Sequence, residues 1–320
     1  MVIVNKSELE KIIDFPSAIA EIEKCFVAFS GGKVINPPPF QFNFPNNNGE
    51  ICIKTALVEG LPTYTIKLVS VFKSNEKLGL STLTGTMNVF DSRTGKLLAV
   101  LNEDGWLTNL RTACAGAIAD KYFSLRLTQV LGIIGAGVQA RFQAKAILGQ
   151  NKNYKKVYIF DIIQEKVEKY LEEMQKTFPQ VSFSSCESVE ELAKLSETIL
   201  TATPATVPFL KPEMIKDGAT IIGVGADMPE KCEFAPDLYV RADKIFVDSR
   251  ESNLLLGGIS RSIKEKKLTI DDITGEIGEV IVGKKQGRQN EQEVIVINLV
   301  GIGVQDTFIG NFAFQKFLKQ

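Results

Sequence analysis

Residues 131–142, LGIIGAGVQARF, decide how this chain folds. Residues 131–135 have the composition of a short buried strand, Gly135-Ala136-Gly137 that of a tight turn, and residues 138–148 that of a helix. The spacing is G-x-G-x-x-A. Gly135 permits the turn, Gly137 lets a pyrophosphate approach the backbone, and Ala140 lets helix and strand pack closely. The helix start offers unpaired N–H groups and the positive end of its dipole to phosphates. Such a glycine pattern alone also serves plain packing turns. Here a second strand follows, VYIFD at 157–161, and ends in an acid 26 residues after Gly135. Asp161 can hydrogen-bond a ribose 2′-hydroxyl, so the context predicts a dinucleotide.

Outward from this stretch, strands and helices alternate. Strand candidates are 131–135, 157–161, 181–185, 198–203, 219–225 and 244–249, with EVIVINLV at 293–300 as a late strand. The clearest helix, 166–178, puts Val167, Tyr170, Leu171, Met174 and Phe178 on one face. This predicts an α/β fold with a doubly wound parallel sheet. The first hundred residues read differently. A helix over 7–29 breaks near Pro16, with Ser17 capping its second half, and a Pro/Asn-rich loop or edge strand covers 35–48. Alternating strands follow at 50–55, 64–72, 82–90 and 96–101, which makes an α+β unit. Asp306 is placed to cap a final helix whose Phe308, Ile309, Phe312 and Phe317 need burial.

With 37 basic and 38 acidic residues among 320, the chain has no charge excess for a nucleic acid or a membrane surface. Its beginning, MVIVNKSELEK, turns charged too early for a signal peptide, and no apolar run approaches the ~18 residues of a membrane helix. The five cysteines, Cys25, Cys52, Cys114, Cys186 and Cys232, show no C-x-x-C pairing, as expected of reduced thiols in a cytoplasmic enzyme. There is no histidine. That excludes a Ser-His-Asp triad, a Cys-His pair, a His-ligated metal and a histidine proton carrier. Any general acid or base is a Lys, Asp, Glu, Tyr or Cys tuned by its neighbours, and no metal is expected.

Several polar residues point to chemistry. Alternation turns Lys54 toward solvent. Lys67, in YTIKLVSV, sits in the most apolar strand of the first sheet, where an ammonium is costly unless an anion pairs with it. It suits a substrate carboxylate, or a carbonyl or imine that gains negative charge. Residues 107–122, LTNLRTACAGAIADKY, read as a helix capped by Thr108 with Arg111 in its first turn. A cation there opposes the helix dipole, which argues for an anionic partner such as a carboxylate or cofactor phosphate. Thr203 ends the fourth parallel strand and Asp227 follows the fifth, where site residues of doubly wound sheets collect.

Taken together, LTNLRTACAGAIA, LGIIGAGVQARFQ, TATPATVP, GVGADMPEKCE and GVQDTF resemble the ornithine cyclodeaminase/mu-crystallin family, in order and at natural spacing over nearly the whole chain. The resemblance implies a homodimer. It also implies a substrate-binding and dimerisation domain of residues 1–116 with 301–320, and a Rossmann NAD-binding domain of residues 117–300. Lys67 then corresponds to a substrate-carboxylate lysine, and Arg111 to an arginine shared by substrate and cofactor. Asp227 corresponds to the catalytic aspartate of the cyclodeaminase and alanine dehydrogenase branches, where mu-crystallin-like members differ. Besides Gly135, Gly137 and Asp161, the positions Thr84, Thr112, Val138, Gln139, Thr203, Val224, Gly225 and Lys231 line the cofactor. One departure concerns the substrate. Many members have Pro-Pro-Arg in the first loop, whereas this chain reads Pro37-Pro38-Pro39-Phe40-Gln41, which brings Gln41 and Lys54 forward as substrate-binding residues.

The expected activity is NAD-dependent chemistry at the Cα–N bond of a small amino or imino acid. The favoured form is ornithine cyclodeamination: the Cα–N bond is oxidised, the side-chain amine attacks, ammonia leaves, and the hydride returns to give proline. Asp227 would move the protons, with Lys54 and Glu233 as remaining titratable groups. The alternatives are a cyclic-imine (ketimine, pyrroline-2-carboxylate) reductase, an alanine-type dehydrogenase, or a ligand-binding protein that keeps the fold without turnover.

Overall fold

A computed structural model describes residues 1–320. The chain opens with β1 (Val2–Asn5), α1 (Lys6–Ile12), α2 (Phe15–Ser30), β2 (Val34–Ile35), β3 (Phe40–Phe44), β4 (Gly49–Val58), β5 (Thr63–Phe72), β6 (Leu83–Asp91), β7 (Leu97–Asn102) and α3 (Trp106–Phe123). There follow β8 (Val130–Ile134), α4 (Val138–Gln150), β9 (Lys156–Phe160), α5 (Gln164–Thr177), β10 (Ser182–Ser185), α6 (Val189–Leu195), β11 (Thr198–Thr201) and β12 (Thr220–Gly223). The last third holds α7 (Pro236–Arg241), β13 (Lys244–Val247), α8 (Arg250–Leu255), α9 (Gly257–Lys264), β14 (Gly275–Glu276), α10 (Ile277–Ile281), β15 (Ile295–Asn298) and α11 (Gly303–Phe317). Two compact units result, Met1–Arg111 with Ile302–Gln320, and Thr112–Gly301.

In the first unit the sheet runs β1-β7-β6-β5-β4-β2, with β3 also on β4. Every pair is antiparallel except β1 with β7. Strand β1 has only four residues, too few to reveal a period of two, and no strand was expected there. Lys54 and Lys67 stand directly opposite one another on β4 and β5. Ala56, Val58, Val69, Met87 and Val89 are buried on this same face. Helices α11 and α2 pack together, with α11 across β4 and β5.

Three helix starts differ from the expectation. Asp14, not Ser17, caps α2, accepting from the Ser17 backbone N–H at 2.8 Å, and Pro16 sits within the first turn. Helix α3 begins at Trp106, so Thr108 lies inside it. Glu103 is the group that satisfies the early donors, taking Thr108 N–H at 3.1 Å and Thr108 Oγ1–H at 2.9 Å. Arg111 therefore sits in the second turn, where the dipole acts weakly. Asp306 does not cap α11. The N-cap is Ile302, and Asn36, from the distant proline-rich loop, accepts from Val304 N–H at 3.0 Å.

The second unit holds an eight-stranded sheet in the order β10-β9-β8-β11-β12-β15-β13-β14, with every pair parallel. Strands β11, β12 and β15 are fully buried, as expected for a sheet covered on both faces. From β8 the chain steps first toward β10 and later, from β11, the other way. This reversal between β8 and β11 is where ligands of open α/β sheets bind, outside the carboxyl ends. All five cysteines are free, and no helix is long and apolar enough to cross a membrane.

Candidate active site

The crevice of the second unit is built on the β8–α4 turn. Gly135 has φ +101°, and a Cβ there would meet the Ala202 carbonyl oxygen at 2.6 Å, so only glycine fits. Gly137 faces open space, and no side chain caps the first turn of α4. Arg141 holds this turn from behind. Its Nη1 donates to the carbonyls of Ala136 at 2.5 Å and Gly137 at 3.0 Å, its Nε to Glu173 at 2.7 Å, and it lies over the Tyr170 ring. Phe160 and Asp161 take the N–H groups of Gly135 and Ala136, so what the turn offers a ligand is the uncapped N-terminus of α4 beyond Gly137. A cavity of about 590 Å³ opens beside it, with walls that include Gly135, Gly137, Asp161, Lys166 and Thr203. An uncapped helix start, an open glycine and a largely apolar wall fit a dinucleotide.

Asp161 ends β9 and is already at work in this turn. Its Oδ2 accepts from Ala136 N–H at 2.7 Å and its Oδ1 from Ile163 N–H at 2.9 Å. Each carboxylate oxygen retains capacity for a ribose hydroxyl. Val138 is exposed at the head of α4. Gln139 accepts from Gln143, which also donates to the Thr112 carbonyl at 3.0 Å.

Glu233 is the hub of the strand ends. It accepts from Thr201 Oγ1 at 2.8 Å, Thr203 N–H and Oγ1 at 2.8 Å each, and Gly225 N–H at 2.9 Å. Burial pushes its carboxyl up, against four hydrogen bonds that favour the anion. A Cβ on Gly225 would lie 2.6 Å from the Glu233 Oε1 oxygen, so glycine is needed for this approach. Glu233 is thus a brace for Thr203 and Gly225, with no lone pair facing a substrate proton. Val224 beside it is buried. Asp227, next along, is about half exposed (side chain 49%) and pairs with Lys231 at 2.7 Å.

In the first unit the sheet face under α11 gathers charge. Lys67 is 2% exposed, and its Nζ lies 3.1 Å from Asp306 Oδ2. Arg111 Nε lies 3.1 Å from Asp306 Oδ1, and Arg111 Nη1 donates to Gln305 Oε1 at 2.8 Å. Asp306 is wholly buried, so the helix carries a carboxylate into the sheet instead of capping itself. Burial draws the Lys67 ammonium down to about 8, with Asp306 opposing and Arg111 and Lys54 adding to the fall. The Asp306 carboxyl is itself held low: burial opposes this, but Arg111, Lys67 and Lys54 together prevail.

Lys54 does not face solvent as alternation suggested. It is 7% exposed, across from Lys67. Gln41 shares this face, its Nε2 donating to Cys52 Sγ at 3.3 Å. Glu103 joins behind Gly85, its carboxyl pushed up by burial. Thr84, in contrast, pairs with Ser70 and is exposed on the opposite face, away from the Lys67 cluster.

Reading from sequence missed Asp306, Gln305, Glu103, Arg141 and Lys166. A signal existed for Asp306: a charge within an apolar, aromatic helix that must be buried needs partners of opposite sign.

Fold and site together define a class, a dinucleotide-binding α/β protein whose first unit buries cations around one carboxylate. The chain belongs to the ornithine cyclodeaminase/mu-crystallin family, which it matches over residues 1–320. It is 33% identical to an uncharacterized cyclodeaminase of Sinorhizobium fredii, over 99% of this chain and 96% of that one. The Thermococcus litoralis Delta(1)-pyrroline-2-carboxylate reductase in complex with NADH and L-proline superposes with a TM-score of 0.93 at 30% identity, over 100% and 98% of the two chains. An archaeal alanine dehydrogenase dimer with bound NAD gives 0.91 at 29%, over 99% and 96%.

Proposed function

We propose that this chain is an NAD(H)-dependent oxidoreductase of a small amino or imino acid, with a cyclic imino monocarboxylate such as Δ1-pyrroline-2-carboxylate as the favoured substrate. The observation that carries this reading is the buried Lys67–Asp306–Arg111 cluster. Two cations share one protein carboxylate, and the second carboxylate they can hold is the substrate's. The reductase and dehydrogenase relatives support the redox form over the cyclodeamination expected from sequence. NAD is assigned to the unit Thr112–Gly301, and substrate binding and dimer contacts to Met1–Arg111 with Ile302–Gln320.

In this reading Lys67 and Arg111 fix the carboxylate, which orients the adjacent Cα. NADH, when bound, would supply hydride chemistry at that carbon. Asp227 stands as counter-ion to the protonated imine nitrogen, so the electrophile stays cationic until Cα is reduced. Its partner Lys231 fixes the carboxylate's position. Asp161 and the Gly135–Gly137 turn hold the nucleotide, and Glu233 keeps Thr203 and Gly225 in place at the strand ends.

A second reading is cyclodeamination, supported by the 33% identity to the uncharacterized cyclodeaminase of Sinorhizobium fredii, with ornithine the substrate expected from sequence. It asks more of Asp227, which must take a proton from an amine and later help ammonia leave. Incubating the purified protein with NADH and Δ1-pyrroline-2-carboxylate, and with NAD⁺ and a panel of amino acids, separates the readings when NADH and ammonia are both followed. NADH consumption by the cyclic imine without ammonia is the expected result. Ammonia from ornithine without net NADH marks a cyclodeaminase, and both products together mark a dehydrogenase. Cofactor binding without any turnover marks a ligand-binding protein.

A further inference from the structure

We propose that Gln305 is a substrate-binding residue, its side-chain amide nitrogen donating to the carboxylate that Lys67 and Arg111 hold. The proposal rests on the functional reading above and adds a neutral donor to its two cations. Gln305 is 1% exposed, in the first turn of α11, beside Asp306. Arg111 has donors only, so the amide oxygen of Gln305 is the atom that must face Arg111 Nη1 at 2.8 Å. This fixes the orientation of the amide. Its other end, Nε2, is a buried donor with no partner in the protein. Buried donors are almost always paired, and one left unpaired next to a binding arginine points to a ligand acceptor.

The backbone of this turn is itself well anchored. Asn36 accepts from Val304 N–H at 3.0 Å, Thr307 Oγ1 donates to the Ala56 carbonyl at 3.0 Å, and Thr63 donates to Asn311 at 2.9 Å. These bonds hold the turn in place, and with Gln305 itself 1% exposed its amide does not reach water. Arg111 hydrogen-bonds Gln305 through Nη1, and its Nε lies 3.1 Å from Asp306 as an ion pair without a hydrogen bond, so Nε, Nη2, the protons of Lys67 and Gln305 Nε2 form a set of donors around this carboxylate. A carboxylate has the acceptor sites for such a set. A carboxamide in its place would turn an N–H against donors, which is how such a site rejects it.

The test uses the full chain with Gln305→Glu and Gln305→Leu. Gln305→Glu keeps an acceptor for Arg111 but has no donor, and Gln305→Leu removes both. Steady-state reduction of Δ1-pyrroline-2-carboxylate, NADH affinity by fluorescence, and inhibition by L-proline against L-prolinamide are measured. The expected result is a KM for the imino acid raised roughly 10- to 100-fold in both variants, with kcat less affected. NADH affinity should stay within about twofold, the preference for proline over prolinamide should narrow, and the apo melting temperature of Gln305→Glu should not fall. An unchanged KM in both variants, in a parent that turns over, overturns the proposal and leaves the function standing. Loss of NADH affinity in step with KM also overturns it, by assigning the amide to the cofactor. A parent inactive on every amino and imino acid removes the function and the proposal with it.

Discussion

Lys67 and Asp227 carry opposite duties, and single substitutions separate them. Lys67 faces Asp306, Arg111, Lys54 and Cys52, and burial brings its ammonium down to about 8 from the usual 10.5. Below that pH it is a cation and can hold a carboxylate. Above it the amine is neutral and the grip weakens. KM for a carboxylate substrate should therefore climb as pH rises through about 8, and kcat/KM should fall on that limb. In Lys67→Arg the charge persists at all these pH values, so the limb should move out of range even if the level drops. A limb at the same pH in both proteins would assign it to another group. Asp227→Asn keeps size and hydrogen bonding but removes charge. Turnover should drop by roughly 10²–10³, the size of one lost electrostatic stabiliser, while NADH binding survives, because the fingerprint turn and Asp161 are untouched. Turnover within a factor of a few of the parent would make Asp227 a loop acid paired with Lys231 and nothing more. Neither Asp306 nor Gln305 was read as part of this chemistry from sequence, because each sits four or fewer positions from a helix start and a local reading offers the cap first. Their role depends on where β5 and α3 place two cations, and that is a long-range fact.

At the scale of elements, the β8–turn–α4–β9 unit was legible because its physics is local: a tight glycine turn, an uncapped helix start and an acid at the next strand end. The same unit makes a prediction about the cofactor. Asp161 lies in the crevice wall with its carboxylate oriented by Ala136 and Ile163 N–H groups. A 2′-phosphate would meet that anion, while Lys166 in the same wall offsets part of the repulsion. NAD(H) should bind at least about tenfold more tightly than NADP(H) if the net repulsion is ~1.4 kcal/mol. Asp161→Ser should narrow the ratio and Lys166→Ala should widen it. Equal affinities of the parent for the two cofactors in a titration would contradict this. Other elements were hidden for identifiable reasons. Strand β1 is four residues long and pairs with β7, nearly a hundred residues away. The α11 cap comes from Asn36, 268 residues earlier. Lys54 follows the alternation of β4 correctly, but its face is roofed by α11, so the alternating pattern gave the side and not the exposure.

At the scale of the whole molecule, the first sheet poses a question of partners. Its inner face carries Lys54, Lys67 and Met87, with α11 across it. Its outer face is largely apolar over β3, β4 and β5 and polar on β6, where Thr84, Thr86 and Asn88 face the same way. Phe40 pairs with Ile53, which pairs with Leu68. Phe42 pairs with Ile51, and Tyr64 stacks on Phe90 with ring centroids 5.1 Å apart. Along the β3 edge, Phe40, Phe42 and Phe44 form an aromatic ladder that continues to Phe72. Phe40 is 63% exposed, Phe42 41%, Leu57 46% and Leu68 37%. An exposed apolar patch over β3, β4 and β5 with an open aromatic edge is an association site or an aggregation hazard. A second copy of the chain is the simplest cover, since two-fold pairing joins one such face to its own equal. The alanine dehydrogenase neighbour is itself a dimer. The chain should therefore sediment as a dimer at micromolar concentration. Leu68→Glu would bury a charge near the centre of that contact in each copy, and like charges brought together there should shift the population toward monomer. NADH binding per chain should stay intact, since the crevice lies wholly within Thr112–Gly301. A parent that sediments as a stable monomer would contradict the assignment. A Leu68→Glu dimer as tight as the parent's would place the contact on another face.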